Sequence, residues 1–571
     1  MTLYRLMDRN TIAAFLFIAI ILILYPLYLE IITPEKIKPP GDNIQTSRRY
    51  EVLTENTTEK IKTENVETRA GRLYTVYDSP AEEKNITINS NLYQAIISSI
   101  GGGSIVSFRL KHHLLKNDST VNLIDDKNKR SLYLSFVSID GDPIVLKKPW
   151  ETDTSLRKID VTEKSETIIF QQKVIYNDQN YLIEKRLTFH PNSYSIDMFL
   201  NLSELSDIIH LGNYAVTWSG GLPQTENNPK DELTWFGGYV YQAGKPYAFE
   251  KLSSGIKDDP SYWGKVSGNT DWIAVRSKYF VSALIPEDGT GPVEVNLGKA
   301  RDNQNVYSYK AHFQAKEPGS RLSLYLGPLE YKRIKDLGVG LSSIMNFGIA
   351  PIRPISKGVL WLLKFLHQFI PNYGLVLVLF SVFVKILVYP LTKKSYQSTK
   401  EMQAIQPLVA DLKEKHKKDP TKLNKATMKL YKEHGVNPLG GCLPLLLQMP
   451  LLFALFQVFR STIELRNAPF IFWINDLSGP DIVYNLPFSL PIYGDHIAVL
   501  PLIMGITMFL QQKMMPTQAS GQQKFMSYFM TGFFILLFNN FPSGLNLYYT
   551  LFNVFTILQQ KYLTPSQQPA K

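Results

Sequence analysis

Apolar runs long enough to cross a membrane occur near both ends of this 571-residue chain, and a long polar stretch separates them. Residues 11–29 are almost wholly apolar and, at about 1.5 Å of rise per residue, just span a hydrocarbon core of about 30 Å. We therefore predict that residues 1–31 form a transmembrane anchor. A cleaved signal peptide is the alternative, although the segment lacks the small-residue cleavage site of such peptides.

Five further apolar runs lie in the C-terminal part of the chain. With the anchor they predict six membrane spans, five of them in a helical core at residues 372–563 that is followed by a short tail at residues 564–571. The five runs are residues 373–389, 439–459, 497–511, 525–540 and 545–560. The predicted fold class is a polytopic α-helical membrane protein with a large soluble domain.

The distribution of lysine predicts the orientation of these spans. Loop 393–435 is rich in lysine, whereas residues 461–496 carry Arg466 alone as a basic side chain. By the positive-inside rule the lysine-rich loop is cytoplasmic, so both termini are cytoplasmic and the large soluble region lies outside. This topology accounts for the formal charge of +11, for which nucleic-acid binding is the alternative explanation.

The external region divides by composition into two parts. Residues 32–82 are rich in Glu, Lys, Thr and Asn and predict a flexible tether. Residues 83–340 predict an all-β sandwich, with the Gly101-Gly102-Gly103 run as a bend between strands. Its alternating or aromatic-rich segments are residues 85–89, 131–137, 167–176, 181–189, 195–202, 272–285 and 321–326.

Motifs of catalytic or cofactor sites are absent from the sequence. The single cysteine, Cys442, excludes an internal disulfide and a cysteine-based zinc site, and we interpret His112-His113 as surface residues. We predict no enzyme activity, no cofactor and no metal.

Residues 341–371 are predicted to contain an amphipathic helix on the outer membrane face. The segment is too short and too charged to span, and Trp361 would lie at the depth of the lipid headgroups. One helical stripe carries Val359, Leu362, Leu363, Leu366 and Phe369.

Lys385 is the candidate functional residue, because a charge at the centre of a bilayer costs at least about 2.5 kcal/mol. Its long side chain could instead reach the cytoplasmic headgroups. Ser381, one turn earlier, starts a polar stripe with it, and none of the other five spans contains Asp or Glu. The ammonium group therefore has no carboxylate partner within the predicted spans.

A second polar stripe runs along the last span itself. Its members recur every three or four residues: Asn546, Tyr549, Asn553, Thr556 and Gln560. The stripe could simply hold the bundle together through interhelical hydrogen bonds. The functional hypothesis is a wet, cationic groove that eases the passage of another protein's polar segment through hydrocarbon. Its predicted lining is Lys385, Ser381, Gln448, Asn546, Tyr549 and Asn553.

Loop 393–435 predicts a cytoplasmic helical hairpin, with helices at residues 394–417 and 421–434 and a turn at Asp419-Pro420. Its lysines could contact ribosomal RNA or anionic lipid, although a solvated, topology-setting face is the commoner meaning. The cytoplasmic residues predicted to face a client or ribosome are Lys413, Lys417, Lys418 and Lys513.

Three groups of residues closely resemble the YidC/Oxa/Alb family of membrane insertases across residues 358–563. They are Tyr389-Pro390-Leu391-Thr392, then Asn437-Pro438-Leu439-Gly440-Gly441-Cys442-Leu443-Pro444 with Gln448-Met449-Pro450, and Phe541-Pro542-Ser543-Gly544-Leu545 with Tyr548-Tyr549. The N-terminal anchor and large external domain are similar to the Gram-negative form of the family.

This resemblance implies a periplasmic β-supersandwich and a five-helix core with a positively charged hydrophilic groove in the inner membrane. It also implies that the protein inserts and folds nascent membrane-protein clients, alone or with the Sec translocon (SecYEG and SecDF). Lys385 stands where the family usually has arginine, and Ser381 and Tyr549 fall at groove or client-contacting positions. Because the chain stops at Lys571 without a long basic tail, contact with a translating ribosome would have to use the loops.

A secondary transporter and an anchored receptor are the two alternative function classes. A secondary transporter would ordinarily have intramembrane carboxylates, paired broken helices and repeated halves, none of which the sequence shows. A β-domain receptor that uses the membrane only as an anchor would need a single span. The insertase hypothesis accounts for the spans, their lysine and the lysine-rich loop together.

Overall fold

A computed structural model describes residues 74–75, 82–124, 131–249, 263–287, 291–299, 307–417, 419–435, 443–490, 493–514 and 521–563. The predicted N-terminal anchor, nearly all of the predicted tether and the C-terminal tail lie outside these residues. Lys418 and Cys442 also lie outside them.

Strands fill the first half of the described chain and form a β domain, defined here as the described residues between 74 and 328. In chain order they are β1 (Tyr74–Thr75), β2 (Asn85–Ser90), β3 (Tyr93–Ser98), β4 (Ser104–Leu114), β5 (Thr120–Asn122), β6 (Tyr133–Ser138), β7 (Pro143–Val145), β8 (Glu151–Thr152), β9 (Lys158–Val161), β10 (Glu166–Tyr176), β11 (Gln179–Phe189), β12 (Ser195–Asn201), β13 (Ile209–Trp218), β14 (Gly237–Gln242), β15 (Lys245–Ala248), β16 (Trp263–Ser267), β17 (Trp272–Arg276), β18 (Phe280–Pro286), β19 (Glu294–Lys299), β20 (Tyr307–Gln314) and β21 (Ser320–Pro328).

Within the described residues these strands form three sheets. The largest runs β1-β10-β11-β12-β21-β18-β17-β14-β15, with β8 also on β10. The second runs β16-β19-β20-β13-β6-β7, and the third runs β5-β4-β3-β2-β9 with a parallel β2–β9 pair. Alternation within strands explains the core, since every second residue of β10 and β11 faces inward and is buried.

The predicted β segments coincide with observed strands, with one correction. Residues 272–285 were treated as one segment, but they form two strands, β17 and β18, joined by a tight turn in which Ser277 N donates to Phe280 O at 2.9 Å. The run lacks Gly and Pro, so the polar residues Arg276-Ser277-Lys278 are the one weak sequence signal for that turn. The predicted bend at Gly101-Gly102-Gly103 is confirmed, because all three glycines have positive φ between β3 and β4.

Helices dominate the rest of the described chain. They are α1 (Pro229–Leu233), α2 (Tyr331–Asp336), α3 (Arg353–His367), α4 (Tyr373–Ala404), α5 (Gln406–Lys415), α6 (Pro420–Glu433), α7 (Leu443–Ser461), α8 (Leu500–Met514), α9 (Gly521–Phe538) and α10 (Ser543–Leu558), after which residues Gln559–Leu563 form a π-helical turn. A hairpin of β22 (Ile482–Leu490) and β23 (Gly494–Ala498) precedes α8. In the described residues, α4 alone is long and apolar enough by composition to cross a membrane, over Tyr373–Pro390.

The helical hairpin predicted in loop 393–435 differs from its prediction in the first helix. Residues 394–404 continue α4 without a break, and a new helix, α5, begins only at Gln406. Pro407 explains the break, because it has no N–H to continue the hydrogen-bond ladder of α4, whereas a proline in the first turn of a new helix needs none. The second helix matches the prediction: Asp419 caps α6 by accepting from Thr421 N and Lys422 N, and Gly435 follows its end with φ of 67°.

Helix α3 packs against α7 and presents its other side outward. Val359, Leu360 and Leu363 are buried, whereas Trp361 is 66% exposed. Phe369 was predicted to share the apolar stripe, but it lies beyond the end of α3 and is 70% exposed. The outward aromatic side chains are typical of a helix at a membrane surface.

Ion pairs join the β domain to the helices. Arg466, which follows α7, donates from Nε to Glu226 Oε1 at 2.7 Å, and its guanidinium also bonds the carbonyl oxygens of Leu114 and Thr225. Lys364 of α3 bonds Glu330 and Glu464, each at 3.0 Å. Because Arg466 is almost fully buried, its contact with Glu226 fixes the end of α7 against the β domain.

Candidate functional site

Lys385 lies on α4 with only 8% of its surface exposed. Its Nζ donates to Thr556 Oγ1 of α10 at 2.7 Å and lies 4.5 Å from the centroid of the Phe552 ring. A hydroxyl acceptor and an aromatic face both stabilise an ammonium ion, although neither neutralises it. In the described residues no carboxylate pairs with Lys385.

A second bond joins α4 to the π-helical turn that follows α10, closer to the end of α4. Thr392 lies seven residues after Lys385, two helical turns along the same face of α4. Gln559, three residues after Thr556, donates to Thr392 Oγ1 at 3.3 Å. The helical repeat therefore places two hydrogen bonds along one line between α4 and the end of α10. Lys385 donates to Thr556 in the first, and Gln559 donates to Thr392 in the second.

The polar contacts continue into α8. Asn553 Nδ2 donates to Thr507 Oγ1 at 3.3 Å, and both side chains are buried. We use the term polar cluster for Lys385, Thr392, Thr507, Asn553, Thr556 and Gln559. The cluster joins residues that are distant in sequence: 171 residues separate Lys385 from Thr556, and 46 separate Thr507 from Asn553.

Other predicted groove residues have different partners. Ser381 Oγ donates to Leu377 O at 2.7 Å within α4, and Asn546 Nδ2 donates to Phe538 O at 3.1 Å. Asn546 is ten residues before Thr556, so it lies about 15 Å away along the helix axis. In the structure Ser381 bonds its own helix, and Asn546 ties α10 to the end of α9.

Tyr549 and Gln448 are both half-buried. The ring of Tyr549 packs edge-on against Phe538 at 5.7 Å, and its buried hydroxyl has no hydrogen-bond partner among the residues that the structure describes. Gln448 is half-buried on α7. Among the described contacts, none joins Gln448 to the polar cluster.

Sequence reasoning did not select Thr392, Thr507 or Gln559 as site residues. Thr392 could have been found from its spacing of seven residues after Lys385, which repeats one helix face. Thr507 carries no such signal, because its role depends on how α8 packs against α10. Its Oγ1 accepts from Asn553 and donates to Met504 O at 2.7 Å.

The predicted cytoplasmic lysines are exposed where the structure describes them. Lys417 lies 3.7 Å from Glu414 with its side chain 75% exposed, and Lys413 is also exposed. Lys513 is exposed at the end of α8, with Nζ 5.1 Å from the Phe509 ring centroid. Lys418 lies outside the described residues.

The histidine pair at the end of β4 is only partly at the surface. His112 is exposed, whereas His113 is half-buried against Phe280, with ring centroids 5.8 Å apart. Burial, helped by the charge of Arg466, lowers the pKa of His113 to about 4. In the described residues no group of three or more His, Cys, Asp or Glu side chains could hold a metal ion.

Comparisons with known proteins agree over the whole chain. Family models described as "60Kd inner membrane protein" and "YidC periplasmic domain" match residues 365–570 and 85–362. The membrane protein insertase YidC of Chlorobium luteolum is 37% identical over 581 residues, covering 99% of this chain and 96% of that relative. The membrane protein insertase YidC of Chlorobaculum parvum is 38% identical over 573 residues, covering 98% and 94%.

One solved structure similar to this chain is described as an active YidC insertase with the first transmembrane domain resolved. It is 18% identical, covers 86% of this chain and 95% of that chain, and gives a TM-score of 0.35.

Proposed function

Because the chain belongs to the YidC family of membrane protein insertases, we propose that its polar cluster lies in a wet, positively charged groove through which clients enter the membrane. The chain is an inner membrane protein with a periplasmic domain, and its function is insertion rather than enzymatic turnover. Its clients are nascent membrane proteins.

The proposed topology has six spans with both termini in the cytoplasm. Residues 1–31 form the anchor, residues 32–82 the tether, residues 83–340 the periplasmic β-sandwich and residues 341–371 the interfacial segment. The core is residues 372–563, with its cytoplasmic hairpin at residues 393–435 and a tail at residues 564–571. Helices α4, α7, α8, α9 and α10 coincide closely with the five predicted C-terminal spans, which supports this assignment.

The mechanism follows from the free energy of moving a client's polar flank through hydrocarbon. The client's apolar segment partitions into lipid favourably, but each unsatisfied backbone group in its flank costs several kcal/mol. Donors and acceptors in the polar cluster replace some of the lost water, and the Lys385 ammonium attracts acidic residues of the flank. Ser381, Gln448, Asn546 and Tyr549 extend this lining in the proposal.

Buried Lys385 is the observation that carries the proposal. A lysine with 8% exposure and one hydroxyl acceptor retains two N–H donors that the described residues do not satisfy. An incoming acidic or carbonyl group would satisfy them. We also propose contacts of the exposed lysines Lys413, Lys417, Lys418 and Lys513 with a ribosome or client, cooperation with the Sec translocon (SecYEG and SecDF), and contact with membrane lipids.

Replacing Lys385 tests the groove. We expect Lys385→Ala to reduce insertion of a client with a short acidic flank into proteoliposomes about tenfold, because a lost charge-assisted contact costs about 1.5 kcal/mol. Lys385→Arg should retain most insertion, since it keeps the charge. Lys561→Ala, which removes an exposed lysine at the end of the last helical segment, is the matched control.

The comparison of the three variants decides the role of Lys385. Full insertion by Lys385→Ala would reduce Lys385 to a membrane anchor and contradict the proposed groove. Equal losses in Lys385→Ala and Lys561→Ala would show that the assay responds to net charge and not to the cluster.

A further inference from the structure

A cavity of about 560 Å³ lies where the β domain meets the helices. Its wall includes Trp235 after α1, Arg276 at the end of β17, Arg353 at the start of α3, and Phe456 and Arg460 in the last turns of α7. The volume falls within the range of about 300–1,000 Å³ that is typical of small-molecule sites. This cavity is separate from the polar cluster, with which it shares no residue.

The cavity is rich in arginine and poor in carboxylate. Arg276 donates to the carbonyl oxygens of Ser277, Lys278 and Ile344 at 3.0, 3.0 and 2.5 Å, and Arg353 donates to Gly348 O at 2.9 Å. Carbonyl oxygens hold these guanidinium groups in place without neutralising them. In the described part of the chain neither arginine has a carboxylate partner.

Asp231 neutralises only part of the remaining charge. Its carboxylate bonds both Arg460 and Lys278, the latter at 2.9 Å. Burial alone would raise the pKa of Asp231, but these two cations outweigh it and hold that pKa below its usual value. Of the three arginines in the cavity wall, only Arg460 has a carboxylate partner among the described residues, and it shares that partner with Lys278, so the wall keeps a net positive charge.

Trp235 supplies an additional donor. Its ring lies between two guanidinium groups, 5.6 Å from Arg276 Cζ and 5.5 Å from Arg460 Cζ. Its Nε1–H is buried and has no acceptor in the described residues. A buried donor without an acceptor is costly, so a small shift of the Trp235 ring that brought this N–H to an anion in the cavity would be favourable.

The position of the cavity indicates the source of the anion. Arg353 begins α3, whose exposed Trp361 and Phe365 are typical of residues at lipid headgroup depth. Phe456 lies one turn before Arg460, so the wall changes from apolar to cationic along α7. In the proposed topology, on which this point rests, the change occurs at the outer surface of the membrane.

We propose that the cavity binds the phosphate headgroup of an anionic phospholipid from the outer leaflet, with the start of its acyl chains against Phe456. Arginine binds phosphate through paired, charge-assisted hydrogen bonds, and a cavity of this size is far larger than an inorganic phosphate ion requires. A bound lipid would fill the space between the β domain and α7 and hold the two together.

Binding of a short-chain phosphatidylglycerol to the detergent-solubilised full chain, measured by native mass spectrometry, tests the site. We expect Arg353→Gln to weaken this binding about tenfold, because one charge-assisted contact is worth about 1.5 kcal/mol. Arg333→Gln is the control: it removes an arginine outside the cavity, one that pairs with Glu330 at 2.7 Å. The control should bind within about twofold of the parent, as surface ion pairs contribute little.

Three further arms identify the ligand. Phosphatidylcholine of the same chain length and inorganic phosphate should each bind more weakly than phosphatidylglycerol, and an acidic client peptide should not displace the lipid. Unchanged phosphatidylglycerol binding in Arg353→Gln, equal binding of phosphatidylcholine or phosphate, or displacement by the peptide would each overturn the proposal. This experiment measures lipid binding and not client insertion, so its result is independent of the Lys385 test.

Discussion

Lys185 shows how one residue can oppose the pattern around it. It occupies an inward position of β11 between Ile183 and Leu187, has no exposed surface, and donates from Nζ to Leu132 O at 2.9 Å. Burial lowers the pKa of Lys185 from 10.5 to about 7. The folded protein therefore binds this proton less tightly than the unfolded chain does.

We predict a pH-dependent stability that originates at Lys185. Between pH values of about 7 and about 10 the unfolded chain binds more protons at this residue, so stability should rise with pH by roughly 1 kcal/mol per unit. The destabilisation is complete below the folded pKa. Urea unfolding of the parent and of Lys185→Met should give profiles that diverge below about pH 10, with the methionine variant the more stable at neutral pH.

Parallel profiles for the two proteins would show that Lys185 has the same protonation state folded and unfolded. That result would contradict the predicted pKa change.

The sequence indicates residues whose cost is local, and it does not indicate residues whose role depends on tertiary contacts. Lys385 is visible because a charge within an apolar run is costly wherever the helix packs. Lys185 and Thr507 depend on partners brought by tertiary packing, Leu132 and Asn553, which no local pattern indicates. Ser381 and Asn546 fit the helical spacing, but their side chains bond nearby carbonyl oxygens.

At the scale of elements, periodicity and breaker residues predicted most helices and strands. Apolar runs gave the positions of α7 to α10, and Asp419 and Gly435 marked the ends of α6. The unbroken length of α4 was missed, because Pro390 favours a helix end, so residues 394–404 were assigned to a separate helix. Contacts between helices, such as that of α4 with α10, were not predictable in detail.

Two threonines of α10 offer a matched test of that helix contact. Thr550 Oγ1 donates to Asn546 O at 2.8 Å and Thr556 Oγ1 donates to Phe552 O at 2.7 Å, but only Thr556 also accepts from Lys385. We expect Thr556→Val to destabilise the detergent-solubilised protein by about 1–3 kcal/mol more than Thr550→Val, because it leaves a buried ammonium without its acceptor. Thermal unfolding measures this difference.

Thr556→Ser is the conservative variant and should restore most of the lost stability. Equal unfolding temperatures for the two valine variants would show that the hydroxyl of Thr556 contributes nothing to holding Lys385.

At the scale of the whole molecule, the β domain and the helices meet through charged groups that are distant in sequence. Glu226 and Arg466 are separated by 240 residues, and Asp231 and Arg460 by 229. Neither pair could be predicted from sequence, because each depends on how the completed domains dock. These contacts indicate that the β domain is fixed to the C-terminal end of α7, next to the cavity proposed to hold lipid.

Photo-crosslinking to a ribosome-stalled membrane-protein client tests the central claim, that a client's polar segment enters the groove beside the polar cluster. A photoreactive phenylalanine analogue at Tyr549 preserves the aromatic shape one turn from Asn553, and the same analogue at exposed Ile506 of α8 serves as a control. We predict client adducts from position 549 and few from position 506. Adducts from position 506 with none from position 549 would contradict the account.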